Sequence, residues 1–202
     1  MSRIIAACLI LILFSGQAWS QKKTVVKNLP EICASQTEIE LYKLINEYRV
    51  QKGLPQVRLS ASLCFVARTP AKDQTDNYKE SNRCNMHSWS NKGSWSSGCY
   101  TPDHRNAKLM WNKPRELTNY LGDGYEISYY STYKYASPEA FAKDILDGWK
   151  KSPGHNDVIM NKNIWKSIRW QAIGIGIHGD YADVWFGKEE DSAGEPKPCK
   201  SE

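Results

Sequence analysis

The 202-residue chain interleaves 27 Lys and Arg with 22 Asp and Glu, giving a net charge of +5 without a basic stripe. That balance excludes a dedicated nucleic-acid binder and leaves room only for weak attraction to anionic lipid or cell-wall polymer.

In chain order, Arg3 precedes an apolar run over residues 4–14, followed by Gly16 and by Ala18 and Ser20 at the spacing of a cleavage site. This pattern predicts a signal peptide over residues 1–20, removed after Ser20, and hence a secreted or extracytoplasmic protein. The run is too short, at ~1.5 Å per residue, for roughly 30 Å of hydrocarbon, and no later stretch is apolar enough to span a membrane. Residues 21–34 read as a polar, basic lead-in.

Ser35 and Glu38 form a capping box for a helix carrying Leu41, Leu44, Ile45 and Tyr48, which Gly53 and Pro55 stop. Ser60 caps a second helix with Leu63, Val66 and Ala67 on its apolar face, and Pro70 predicts a kink or an early end. A long loop opens at CNMHSWS, residues 84–90. A helix is expected to start at Thr101-Pro102 and to be bounded by Pro114. Residues 125–135, dense in Tyr, Ile, Ser and Thr, suit a strand.

Ser137-Pro138-Glu139 begins a further helix with Phe141, Ile145 and Trp149 on one stripe. Ser152-Pro153 starts the next, placing His155 at its third position, where the positive end of the helix keeps the imidazole neutral. Ile173, Ile175 and Ile177 alternate with Gly174 and Gly176. A turn at Gly179 then leads into residues 181–187, predicting two antiparallel strands whose glycine face admits another backbone. The charged tail, residues 188–202, is expected to trail in solvent. Helices and antiparallel strands in this mixed order point to a layered α+β domain over residues 35–187.

Five cysteines remain beyond the leader: Cys33, Cys64, Cys84, Cys99 and Cys199. Exported cysteines pair, and an odd count leaves one over. Cys84 and Cys99 flank a Gly/Ser/Trp-rich loop and are the expected bridge; Cys33, Cys64 and Cys199 compete for the second.

Five segments in order resemble the CAP superfamily, which groups cysteine-rich secretory proteins, antigen 5 and plant pathogenesis-related proteins around the SCP domain. They are LYKLINEYRVQKGLP, CNMHSWS, GDGYEISYY, GWKKSPGHNDVIMN and IGIGI. The SPGH phrase is similar to the bacterial-type branch. The resemblance implies a three-layer α-β-α sandwich with a mainly antiparallel central sheet. It also implies a cleft in which two histidines and two acids hold a divalent metal. Position by position, these are His87, Glu126 and His155; the second acid's place is taken by Ser152, with Asp147 one turn away as a substitute. Two imidazoles and a carboxylate leave an open fourth position, the ligand set of a catalytic zinc, which would activate a bound water.

Each of these side chains also has a purely structural reading: His87 within its loop, Glu126 in a turn, His155 at a helix start. A serine triad is not supported, since Ser88 and Ser152 lack a G-x-S-x-G elbow. The expected function is a secreted binding module for an apolar or amphipathic ligand of the lipid or sterol class, or for an extracellular protein partner. Trp89, Tyr125, Trp149 and Ser152 are expected to line its cleft, with zinc or another divalent cation as the possible cofactor. One alternative is a metal-dependent hydrolase using His87, Glu126 and His155. Another is a structural envelope or matrix protein joined to its partner through an unpaired Cys199.

Overall fold

A computed structural model describes residues 27–28 and 30–200. The expected signal peptide and its cleavage site lie outside the described residues. The chain folds as β1 (Cys33–Ala34), α1 (Gln36–Gln51), β2 (Arg58–Leu59), α2 (Ala61–Asn77), α3 (Ala107–Trp111), α4 (Lys113–Leu117) and β3 (Gly124–Tyr130). There follow α5 (Pro138–Lys151), α6 (Pro153–Ile159), a 3-10 turn at Asn163–Trp165, β4 (Ala172–His178), β5 (Tyr181–Gly187) and β6 (Lys197–Pro198).

The central sheet has the order β2-β4-β5-β3, antiparallel except where β2 runs parallel to β4. Its strands alternate between two buried faces. One face carries Tyr125, Ile127, Ile173, Ile175, Val184 and Phe186, packed with Leu41 and Ile45 of α1 and Ile145 and Trp149 of α5. The opposite face carries Ala172 and Trp185 under Leu63, Val66 and Ala67 of α2 and Ala107 and Met110 of α3. The result is the three-layer α-β-α sandwich. Burying each large side chain such as Ile145 contributes about 1.5–3 kcal/mol.

Local chemistry explains why the helices sit where they do. Ser35 Oγ accepts from Glu38 N, and Glu38 Oε2 accepts from Ser35 N at 2.7 Å, completing the capping box. Glu38 also pairs with Arg68 of α2 and accepts from Ile177 N of β4 at 3.1 Å, so one capping carboxylate ties together three elements. Gly174 and Gly176 do what their alternation promised. A Cβ on Gly176 would lie 2.2 Å from the Ala67 carbonyl carbon, so α2 rests backbone-on-backbone on β4.

That close packing also accounts for a departure from expectation. Helix α2 runs through Pro70 without ending, because Pro70 is buried in a helix held along its length against the sheet. The segment from Thr101 to Asn106 is a series of turns, and two short helices, α3 and α4, follow it. Pro114 sits in the first turn of α4, where its missing N–H is no loss, rather than bounding a helix before it. Strand β3 stops at Tyr130 because its partner stops at Tyr181, and Ser131 N donates to Asp180 O as the last cross-strand bond.

The tail does not trail in solvent. Cys199 is bridged to Cys33, β6 pairs with β1, and Cys199 N donates to Ala34 O. Asp191 accepts from Ser60 Oγ at 2.7 Å and from Ser62 N at 2.8 Å, at the start of α2. The folded body therefore extends beyond residues 35–187 on both sides. Cys84 pairs with Cys99, and Cys64 is the buried free thiol. An unpaired Cys199 available to an outside partner is thus corrected: its sulfur is used internally.

Candidate functional site

Two of the three candidate ligands meet directly. Glu126 projects from β3 onto the α2 side of the sheet, cross-strand from Trp185, and its neighbour on that face, Ser128, lies opposite Asp183. The loop after α2, held by the Cys84–Cys99 bridge, delivers His87 to this face. His87 Nδ1 lies 2.8 Å from Glu126 Oε2, and Trp185 Nε1 donates to Glu126 Oε1 at 3.1 Å. Burial pushes the Glu126 carboxyl up to about 8, with the Trp185 bond opposing the rise only in part. Burial likewise pulls the His87 imidazole down. Both shifts favour the uncharged forms, in which an Oε2–H would donate to a neutral imidazole while the other oxygen accepts from Trp185.

Around this pair the polar groups continue inward. Ser128 Oγ lies 3.4 Å from His87 Nδ1. Gln74 Nε2 of α2 donates to Met86 O at 2.9 Å and reaches Asp183 Oδ1 at 3.4 Å. Asp183 is fully buried, and burial, with the Glu126 carboxyl adding to it, holds its pKa well above the ordinary carboxylate value. Asp183, Ser128 and Gln74 escaped the sequence reading. Asp183 had a legible signal, an acid at an inward position of the otherwise apolar strand YADVWFG.

His155 stands where expected, at the third position of α6, with Ser152 as the N-cap residue. Burial pulls its imidazole down to about 4, and the proximity of His87 adds to the effect. Its ring packs edge-on to Trp149. Ser152 holds the bend between α5 and α6 and makes no side-chain cap bond. Asp147, the proposed substitute acid, pairs with Lys143 and Lys150 on the surface of α5 instead.

Both Glu126 oxygens are already engaged, Oε2 with His87 Nδ1 and Oε1 with Trp185 Nε1. Among the described residues no group of three or more His, Cys, Asp or Glu side chains is arranged to hold a metal ion. As arranged, with both Glu126 oxygens engaged and Asp147 turned to its lysines, these side chains do not present a cation site.

The expected cleft walls are also placed differently. Trp149 is core, its Nε1 donating to Ser128 O across the sheet edge. Tyr125 is buried on the far face among Trp111, Trp165 and Trp170. Adjacent strand residues point to opposite faces, which separates Tyr125 from Glu126. Trp89 is buried against Trp185 and Trp95, with Lys113 Nζ 4.7 Å from its ring centroid.

An open apolar site exists elsewhere, on the outer side of α2. A groove of about 520 Å³ is walled by Pro30 and Ile32 of the lead-in, Phe65 and Thr69 of α2, and Gly93 and Trp95 of the long loop. Trp95 is fixed by donating from Nε1 to Ser90 O at 2.8 Å. Its indole packs against Gly93, where any Cβ would collide with the ring. Lys72 and Lys92 stand exposed at the rim. Sequence reasoning missed this groove because it is assembled from three distant segments, two of them irregular.

A profile of the CAP family, described as the cysteine-rich secretory protein family, matches residues 42–185. No curated protein sequence gives a significant match. Among solved structures, an extracellular protein containing an SCP domain from Bacillus anthracis aligns with a TM-score of 0.50 and 16% identity. That alignment covers 76% of this chain and 40% of that one. A cysteine-rich secretory protein from Staphylococcus aureus gives 0.49 and 16%, covering 76% and 38%. An outer surface protein from Borrelia burgdorferi gives 0.49 and 17%, covering 77% and 94%. The chain spans about two fifths of the length of the Staphylococcus and Bacillus proteins.

Proposed function

The chain belongs to the CAP family of cysteine-rich secretory proteins, and from that premise we propose that it is an exported, non-catalytic module that binds an anionic amphiphile of the fatty-acid type. The observation that carries this reading is the groove over α2. It joins apolar walls, Ile32, Phe65 and Trp95, to the exposed ammonium group of Lys92, with Lys72 beside it paired to Asp76 at 2.6 Å. A volume of this order suits a small ligand. An alkyl chain removes apolar wall from water at about 25 cal/mol per Å², and a carboxylate head complements the Lys92 ammonium.

Two disulfides support export, since such bonds persist in oxidising compartments. Among the described residues no helix is long and apolar enough to cross a membrane. The extracellular and outer-surface descriptions of the Bacillus and Borrelia structures accord with the same destination. The His87–Glu126 pair serves this reading as scaffold, anchoring the long loop that carries Trp95 to the sheet.

Titration of the mature protein with dodecanoate, followed by tryptophan fluorescence, is the test. Saturable quenching in the wild type that Phe65→Asp abolishes supports the reading. Phe65 is half-exposed, so the substitution leaves the core intact. Quenching that is absent, or equal in both proteins, refutes it.

A further inference from the structure

The loop leaving β3 builds a second, chemically different cleft at the opposite sheet end from the Gly187 terminus of β5. It encloses about 370 Å³ between Ser131, Tyr133, Tyr135, Phe141, Thr37 and Asp180. Tyr133 is 70% exposed, an uncommon situation for a large ring, yet it is held in place rather than free. Its ring packs edge-on to Tyr135 at 4.9 Å, and Tyr135 in turn stacks on Phe141 at 4.6 Å with an interplanar angle of 16°. Its backbone N donates to Ser131 Oγ at 3.2 Å, and Ser131 N donates to Asp180 O at 3.0 Å. Tyr135 OH bonds Ser131 Oγ at 2.8 Å and donates to Asp144 of α5. The aromatic wall is thus pre-positioned by strand, turn and helix together.

The lining excludes several ligand classes. A hydroxyl-bearing floor from Ser131, Tyr135 and Thr37 suits an alkyl chain poorly. The Asp180 carboxylate disfavours an anion, and the cation beside it, Lys134, is already paired with Asp180 at 3.2 Å. What remains complementary is a neutral ligand with one apolar face and a ring of hydroxyls. A pyranose ring has this form: its C–H face lies against the electron-rich face of a tyrosine, and its hydroxyls exchange hydrogen bonds with Ser, Thr and carboxylate oxygens.

The geometry points to a carbohydrate subsite at the Tyr133–Tyr135 cleft, taking a neutral pyranose oligosaccharide. It is independent of the groove over α2: the two share no lining residue. Preformed aromatic walls limit the ordering cost of binding. A small, open, solvent-facing cleft of this kind gives affinities in the range of about 0.1–1 mM.

Isothermal titration of the mature protein with triacetylchitotriose, cellotriose and maltotriose tests the assignment. The expected result is saturable binding of at least one trisaccharide, weakened about tenfold or more by Tyr133→Ala. Tyr133→Phe, which keeps the ring, should bind within about threefold of wild type. Phe65→Asp, which disables only the other groove, should bind as wild type does. Because Tyr133 is exposed, the melting temperature of Tyr133→Ala should match that of the wild type. No binding of any of the three sugars up to about 10 mM overturns the assignment. So does binding that Tyr133→Ala leaves unchanged.

Discussion

Replacing Glu126 by Gln reproduces the neutral acid in its own hydrogen bonds. The amide oxygen accepts from Trp185 Nε1 as Oε1 does, and the amide nitrogen donates to His87 Nδ1 as the protonated Oε2 does. What the substitution removes is the titration. Burial raises the folded-state Glu126 from its ordinary 4.5 to about 8. The folded protein therefore holds a proton that the unfolded chain releases, and the Glu126 contribution to stability, complete below about pH 4.5, is lost as pH rises towards 8. Each unit in that window corresponds to about 1.4 kcal/mol, so the difference in unfolding free energy between Glu126→Gln and wild type should widen by about 3 kcal/mol from about pH 5 to about pH 7.5. Partial relaxation would reduce the amplitude, not the sign. Urea unfolding of both proteins across that range is the assay, and the subtraction cancels the titrating groups that do not touch Glu126. Parallel stability curves for the two proteins would show that Glu126 is ionised and refute the neutral pair.

Other consequences follow from separate parts of the molecule. Gly176→Ala sets a methyl against the Ala67–Arg68 backbone, which a side-chain rotation cannot relieve; a loss of about 3 kcal/mol in chemical denaturation is expected, and a loss below about 1 kcal/mol would contradict the backbone contact. Removing the Cys33–Cys199 bridge as a double Ala variant opens a closure spanning 166 residues and should lower stability by about 5 kcal/mol on the chain-entropy model. Removing Cys84–Cys99, separated by 15, should cost about 3 kcal/mol, and the reverse order would count against the anchored tail. His155, lowered from 6.5 to about 4, binds more protons unfolded than folded, so its contribution is lost as pH falls through that window. His155→Phe should accordingly flatten the acid side of the stability profile, as read by thermal melts between about pH 4 and 7.

Those features that depend on local chemistry were legible in the sequence. The Ser35 capping box, the Ser137-Pro138 and Ser152-Pro153 helix starts and the Gly174/Gly176 strand each state their own geometry in a few adjacent residues. Pro70 was misjudged because a proline's effect depends on whether surrounding packing holds the helix, and packing is not local. The Cys33–Cys199 bridge depends on both chain ends returning to one point, which spacing alone does not encode. At the candidate site, His87 and Glu126 were identified by resemblance and the structure brings them together. The burial that shifts both towards their uncharged forms, the buried Asp183 beside them and the engagement of both Glu126 oxygens are tertiary facts. The same holds for Trp149 and Tyr125, whose aromatic character suggested cleft walls but whose strand and helix faces turn them into the core.

The central proposal is that the apolar groove over α2, rather than a metal centre at His87 and Glu126, is the working site. Parallel calorimetric titrations of the mature protein with dodecanoate and with zinc test it most directly, using wild type, Phe65→Asp and His87→Ala. The account predicts one dodecanoate bound per chain with a negative heat-capacity change, abolished by Phe65→Asp, and no stoichiometric zinc. Tight one-to-one zinc binding lost in His87→Ala, with no dodecanoate uptake by the wild type, would contradict it.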